Sequence, residues 1–418
     1  MPASGISRLD RGLKPSILFI VPAEYDELKE KGVESMIFER DENGFFGKVI
    51  TVHPFAKHTR VIILDEVHQV HEIGFDLIPG AARFRALKYL QAPLHFLRVV
   101  RTIIRLVKDF EIDLLRGNDP FWMGFFAYLG SRLCKVPYCV SIHADYDRRI
   151  ELDKSIYIST VFGSYRLAKR LERFVLSRAS LVLPIRQSLA DKAVLSGAPP
   201  RKIRVIPHGI DLLPFSRPTN SDVRRRFAIP PEKKIISFIG RLSLENYVDD
   251  ILAIAGQLKK KRADFALVLV GGGKEERRVA ARVALAPLLA SCVILPGFQP
   301  REICLDLRRE SSVSLCLMAG YSLIEACAAA SPVVAYDVEW HSELVENRET
   351  GFLVEQNDIA GAVQAIEWLL DHPEEAATMG VKARARAFKK HDVAKTSATK
   401  VSFYRELLTQ GVSLHASP

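Results

Sequence analysis

Short apolar runs alternate with longer amphipathic stretches along this chain, and the alternation stops once and starts again. Ile17–Val21, Lys48–Val52, Val61–Leu64, Ile112–Leu115, Tyr138–Ile142, Leu181–Pro184 and Arg204–Ile206 have the length and β-branched content of buried strands, while Leu94–Asp109 and Pro120–Cys134 carry helical spacing. Strand–helix alternation of this kind implies parallel sheets covered by helices. The pattern breaks between Leu212 and Glu232, where Pro214, Pro218, Pro230 and Pro231 flank a short predicted helix at Asn220–Phe227, capped by Thr219, Asn220 or Ser221. It resumes with strands at Lys234–Gly240, Ala263–Gly271, Ser291–Leu295, Ser312–Leu317 and Pro332–Tyr336 and a helix at Tyr247–Lys260. A length of 418 residues suits two domains of about 200 residues each. The expected organisation is a doubly wound α/β domain over residues 1–212, a linker over 213–232, and a second such domain over 233–390. An amphipathic stretch near Lys395–Leu408, within a tail of residues 391–418, is expected to form a helix that packs back on the first domain. Doubly wound sheets bind ligands outside the carboxyl ends of their strands, so two of them facing each other would place the site in a cleft between them.

Composition narrows the classes. Hydrophobic content of 48% and charged content of 26% describe a folded globular protein. Ile17–Val21 is too short for a secretory core, and Phe121–Leu129 falls short of the roughly 20 residues of a spanning helix, so a soluble or peripheral cytoplasmic protein is expected. None of the six cysteines forms a Cys-x-x-Cys pair, and all lie in apolar segments, which reads as reduced core thiols rather than a metal site. The net charge of +10 is uneven: residues 1–217 hold 33 Lys/Arg against 24 Asp/Glu. Arg166, Lys169, Arg170 and Arg173 recur at helical spacing, either as a solvated helix face or as a surface for an anionic bilayer or phosphorylated acceptor. No basic aromatic module of a nucleic-acid binder is present.

Four stretches carry chemistry. In Ser314–Asp337, SLCLMAGYSLIEACAAASPVVAYD, a strand runs through Gly320 into a helix and then into a new strand. Amides of Tyr321, Ser322 and Leu323 at that helix start suit a diphosphate, because unpaired N–H groups and the helix dipole both favour anions. Glu325, one turn in, is placed to accept hydrogen bonds from ribose hydroxyls, or is an ordinary first-turn glutamate. In Phe238-Ile239-Gly240-Arg241-Leu242, Arg241 follows a strand end, where its fork suits diphosphate oxygens, or is a plain surface arginine. Val268–Gly273 ends in three glycines but lacks the Gly-x-Gly-x-x-Gly spacing and follows the second strand of its domain, which argues against a nicotinamide site. His143, in Ser141-Ile142-His143-Ala144-Asp145, closes a strand of the first domain, where a histidine can bond a sugar hydroxyl or a leaving group, or is structural.

Together these stretches resemble the family-four retaining glycosyltransferases, which have the GT-B fold of two Rossmann-like domains and use nucleotide-sugar donors. The resemblance spans nearly the whole chain and is strongest from Arg204 to Phe388. It is carried by Pro207-His208-Gly209-Ile210-Asp211, Gly240-Arg241-Leu242, Leu269–Gly273, Leu295-Pro296-Gly297-Phe298, Ser322–Ala326 with Pro332–Ala335, and Glu349-Thr350-Gly351-Phe352-Leu353-Val354. His143-Ala144-Asp145 sits where the family often has a His-Gly pair, and Lys31-Gly32 is the candidate loop after the first strand. The resemblance implies that Arg241 holds the diphosphate, that amides near Gly320, Tyr321, Ser322 and Leu323 bind phosphate oxygens, and that Glu325 orients the ribose. It further implies that Phe298 lines the base pocket and that His143 contacts the donor sugar or departing phosphate. The implied reaction moves a sugar from a nucleotide sugar to a hydroxyl acceptor, a glycan or lipid-linked one, with no metal and no cofactor beyond the co-substrate.

Two positions depart from the family pattern. Asn246 stands where a lysine usually follows the phosphate arginine, and Leu317 stands eight residues before Glu325, where a first glutamate is usual. A lost charge-assisted contact to a diphosphate costs typically about 1.5–3 kcal/mol. These departures motivate an alternative, a catalytically impaired nucleotide-sugar-binding or regulatory subunit. A nucleotide-sugar epimerase of the same fold is a further, less fitting alternative.

Overall fold

The structure is a computed structural model and describes residues 8–9, 12–30, 34–75, 85–147, 164–218 and 221–414. The chain divides into two compact units, Met1–Pro207 with Thr396–Pro418, and His208–Lys395. The Lys31-Gly32 loop falls outside the described residues.

Among the described residues the first unit holds seven strands: β1 (Ser16–Ile20), β2 (Lys48–Ala56), β3 (Arg60–Ile63), β4 (His68–Gly74), β5 (Leu114–Gly117), β6 (Tyr138–Ile142) and β7 (Leu181–Pro184). Their order is β3-β4-β2-β1-β5-β6-β7, parallel throughout except for β3 on β4. Strands β1, β5, β6 and β7 are buried along their whole length, as expected of a parallel sheet covered on both faces. Strand β4 is hidden in the sequence because His68, His71 and Glu72 make it look polar. All three are buried, and the Glu72 carboxylate accepts from Arg60 Nε at 2.5 Å, which satisfies its charge inside the sheet. The expected strand Arg204–Ile206 is not one. That segment runs extended, and the amides of Arg204 and Ile206 donate to the Val182 and Pro184 carbonyls without forming a full ladder.

The C-terminal helix spans Val393–Leu414. Its Tyr404 is fully buried among Ile17, Phe19, Leu114 and Leu183 of the first unit, and accepts a hydrogen bond from Arg116 Nη1 at 2.5 Å.

The second unit holds β8 (Lys234–Ile239), β9 (Phe265–Val270), β10 (Val293–Gly297), β11 (Val313–Leu315), β12 (Val333–Tyr336) and β13 (Phe352–Val354), all parallel. Their order, β10-β9-β8-β11-β12-β13, means the chain builds outward from β8 on one side and then crosses to build outward from β11 on the other. The crevice of a doubly wound sheet lies at such a reversal, here between β8 and β11.

The proline-rich stretch is built into this unit and does not run free as a linker. Phe215, Val223, Phe227 and Ile229 are buried. The short helix is Val223–Arg226, and its cap is Asp222, whose carboxylate accepts from the Arg225 amide at 2.9 Å. Thr219 and Asn220 lie outside the described residues.

Candidate donor site

The site is assembled where β8 and β11 end. Below it, Ser237 of β8 and Ser314 of β11 face each other in register, their hydroxyls 3.2 Å apart, with Ser311 and Ser331 completing a buried hydroxyl chain. Small polar side chains let the two strands approach and keep every buried oxygen paired.

Gly240 and Arg241 follow β8, and the second glycine-rich loop is laced onto them. The Gly240 amide donates to Val270, the Leu242 amide donates to Gly272, and the Glu275 amide returns to the Leu242 carbonyl. Glycine is required here by contact. Gly271, at φ +133°, would place a Cβ 1.9 Å from the Gly240 oxygen, and Gly273, at φ +154°, would place one 2.5 Å from the Leu242 oxygen. The fingerprint-like glycines therefore serve loop-to-loop approach. Asn246 Nδ2 donates to the Arg241 carbonyl at 2.7 Å and so closes the Arg241 turn from inside.

The helix Tyr321–Ala328 starts beside this turn. The Ser322 hydroxyl donates to the Ile239 carbonyl at 2.6 Å, which ties the helix start to the end of β8. Arg308, buried on the helix Arg301–Glu310, donates through one nitrogen to Ser322 Oγ at 3.0 Å and to Glu325 Oε2 at 2.9 Å. Glu325 is thus a fixed carboxylate, oriented by a guanidinium whose side chain is 3% exposed. The Leu323 amide, expected to bind phosphate, is taken up by the Gly320 carbonyl at 3.2 Å, and its side chain is buried. The loop before the helix is held by His341, which is fully buried. Its Nδ1 lies 2.8 Å from the Tyr336 carbonyl, and its Nε2 lies 3.2 Å from the Ala319 amide. The same Nε2 also lies 3.1 Å from the Ala319 carbonyl, so the ring links Tyr336 to both backbone groups of Ala319. The Tyr321 ring packs 5.2 Å from the His208 ring.

Arg241 is exposed, and no carboxylate of the described residues lies within ion-pair distance of it. Lys274, next after the three glycines, is exposed in the same way. The Glu245 carboxyl is held below the usual carboxylate range by its hydrogen bond to Ser243 and its own amide, and further by the charges of Arg241 and Lys274. Both cations thus bear on one small region. Phe298 follows β10 and is 86% exposed, an open aromatic face. His143 belongs to the first unit, half-buried just past β6.

Three residues escaped the sequence. Arg308 had a usable signal, since it lies three residues after buried Leu305 on the apolar face of its helix, where an arginine needs a partner. His341 and Lys274 had none, because their importance depends on what the fold brings beside them. Leu317, at the position of the usual first glutamate, is fully buried in the core. The six thiols are free, and burial raises those of Cys139 and Cys316 to about 12.

Two tandem Rossmann-like sheets define the chain as an α/β protein of the GT-B fold. Residues 56–209 match the glycosyl transferase 4-like domain, and residues 220–386 match glycosyl transferases group 1. The chain belongs to the family-four type of GT-B glycosyltransferases and is an enzyme of that class. The alpha-maltose-1-phosphate synthase of Mycolicibacterium smegmatis is 24% identical over 324 residues, which is 73% of this chain and 82% of that protein. The alpha-monoglucosyldiacylglycerol synthase of Streptococcus pneumoniae is 22% identical over 284 residues, 65% of this chain and 62% of that protein. Among solved structures, the Anabaena protein HepE in complex with UDP has a TM-score of 0.68 at 17% identity, covering 94% of this chain and 100% of that one. That likeness shows the shared fold.

Proposed function

We propose that the chain transfers a sugar from a nucleotide-sugar donor to a hydroxyl acceptor, with retention of anomeric configuration. The observation that carries this is the convergence at the β8/β11 reversal of an exposed Arg241 with no carboxylate of the described residues in ion-pair distance, a helix start and an oriented carboxylate, Glu325. Arg241 neutralises the diphosphate and stabilises the leaving nucleotide, with the Tyr321 and Ser322 amides on phosphate oxygens. Glu325 accepts from the ribose hydroxyls, and Phe298 offers its face to the base. Lys274 supplies the cation that Asn246 cannot. Catalysis is then positioning plus electrostatic stabilisation of the departing phosphate, supplied by side chains and amides without a metal. His143 is assigned to the transferred sugar or leaving phosphate. The UDP in the Anabaena structure supports a nucleoside diphosphate as the product to test first.

The acceptor is proposed to be membrane-linked. Support comes from the helix Tyr165–Arg178, which exposes Arg166, Arg170 and Arg173 beside Tyr165 and Leu167, and from the lipid named for the pneumococcal relative. Among the described residues no helix is long and apolar enough to cross a membrane.

The test is a thermal-shift screen with nucleoside diphosphates and nucleotide sugars, followed by transfer assays of wild type and Arg241→Ala. A stabilising nucleotide names the base by mass action. Donor binding and turnover unchanged in Arg241→Ala would remove the assignment.

A further inference from the structure

The first unit contains a cavity of about 520 Å³ at the amino-terminal ends of its strands, opposite to the end that carries His143. Pro137 and Ser180, which precede β6 and β7, form its floor. Five cations line it: Arg132, Lys135, Arg201, Lys202 and Arg204. One carboxylate joins them, Glu406 of the C-terminal helix, 3.8 Å from Arg204. No carboxylate of the described residues lies within ion-pair distance of Arg132, Lys135 or Arg201.

Helix electrostatics explain part of this cluster. Arg132 and Lys135 sit at the carboxyl end of the helix Trp122–Cys134, where cations are favourable. Arg201 and Lys202 come from a separate turn, Pro200–Lys202; Lys202 serves the carboxyl end of the helix Tyr165–Arg178, which Ala179 caps, while Arg201 has no such helix end to serve. Lys202 donates to the Ala179 carbonyl at 2.8 Å. Burial, and then the neighbouring Arg201 charge, push its ammonium below the ordinary lysine range. Like charges drawn from three segments into one concave space repel, and Glu406 offsets only part of five positive charges.

We propose that this cavity binds a phosphate-bearing organic anion. The cations would hold the phosphate oxygens, and Phe403 and Leu407 of the C-terminal helix with Val136 would cover an organic body. The volume is that of a small-ligand site and exceeds what a bare phosphate fills. The phosphate can belong to a soluble metabolite or to a phospholipid headgroup. The proposal does not rest on the donor assignment, which involves other residues.

The test uses the full chain and one chemistry in two forms: glycerol 3-phosphate followed by calorimetric titration, and vesicles of phosphatidylcholine with and without phosphatidylglycerol followed by co-sedimentation. Arg132→Glu/Arg201→Glu changes two exposed side chains, and an unaltered melting temperature without ligand shows that it folds. Arg277→Glu/Lys389→Glu, both exposed in the second unit, makes the same change of net charge elsewhere. Arg241→Ala removes anion binding at the donor site. Wild type is expected to bind at least one probe, with affinity falling at least about tenfold in Arg132→Glu/Arg201→Glu. Binding is expected to persist in Arg241→Ala and in Arg277→Glu/Lys389→Glu. A response to glycerol 3-phosphate identifies a soluble ligand, and a response to phosphatidylglycerol vesicles alone identifies a headgroup. Absence of binding to either probe overturns the proposal, as does an equal loss in the two charge-reversal variants.

Discussion

Replacing Glu325 should cost more stability than replacing its partner Arg308, although both changes delete the same ion pair. The reason is where each charge is left. The Arg308 side chain is 3% exposed and that of Glu325 is 24% exposed. In Glu325→Ala the guanidinium keeps, among the described residues, only the Ser322 hydroxyl as a hydrogen-bond partner and remains a buried, uncompensated charge. Removing one member of a buried pair in this way costs about 3–5 kcal/mol. In Arg308→Met the carboxylate turns its exposed side to water, and the unbranched methionine fills most of the vacated volume, so the cost is about 1–2 kcal/mol for the lost hydrogen bonds. A unit of the size of His208–Lys395 loses roughly 2–4 °C of melting temperature per kcal/mol. Glu325→Ala should therefore melt about 6–20 °C lower and Arg308→Met about 2–8 °C lower. The double variant should recover most of the Glu325→Ala loss, because no charge is then left buried alone. Scanning calorimetry of the four proteins gives the cycle. A Glu325→Ala protein as stable as Arg308→Met, or a double variant no better than Glu325→Ala, would refute the reasoning. Transfer by Glu325→Ala is interpretable only beside this cycle, since lost activity in an unfolded protein says nothing about the ribose.

Four shorter expectations follow. His341→Ala leaves the Ala319 amide buried without its acceptor, costs about 1–3 kcal/mol, and should weaken donor binding through the loop before Tyr321, as read by melting and by nucleotide titration. Gly271→Ala drives a Cβ into the Gly240 carbonyl and should displace the Arg241 turn, costing about 2–4 kcal/mol and lowering donor affinity together with stability. Lys274→Ala should weaken nucleoside diphosphate binding about tenfold while leaving the melting temperature unchanged, and Asn246→Lys in that background should restore part of the affinity by titration. Burial, followed by the nearby Arg40 charge, lowers the His53 imidazole to about 3. The folded state then binds fewer protons than the unfolded state between about pH 3 and 6.5, so stability is full above 6.5 and falls on acidification, by on the order of 4–5 kcal/mol across that window. His53→Gln should flatten this dependence in acid melting curves of the first unit.

The strands fully buried in parallel sheets were legible because burial on both faces leaves continuous apolar runs, as in Ile17–Val21 and Phe265–Val270. Strand β4 was not, because the charge of Glu72 is cancelled by Arg60, twelve residues away on the neighbouring strand, and because His68 and His71 are buried in the sheet. The same distinction runs through the donor site. Arg241, the Gly320 turn and Glu325 stand out in the sequence because strand ends and helix starts mark them locally. Arg308 acts across 17 residues of sequence and His341 across 22, so only the fold brings each to the residue it orients.

The buried Leu317 gives the departure from the family pattern a physical meaning. A glutamate there would have to place a carboxylate in the core of the second unit, among Leu269, Leu315 and Val334, at several kcal/mol. The backbone here runs so that position 317 points inward, and His341 holds the next turn in place through Ala319. Restoring the glutamate with Leu317→Glu should lower the melting temperature without raising transfer. A gain in turnover from that variant would mean that the loop can present the position outward.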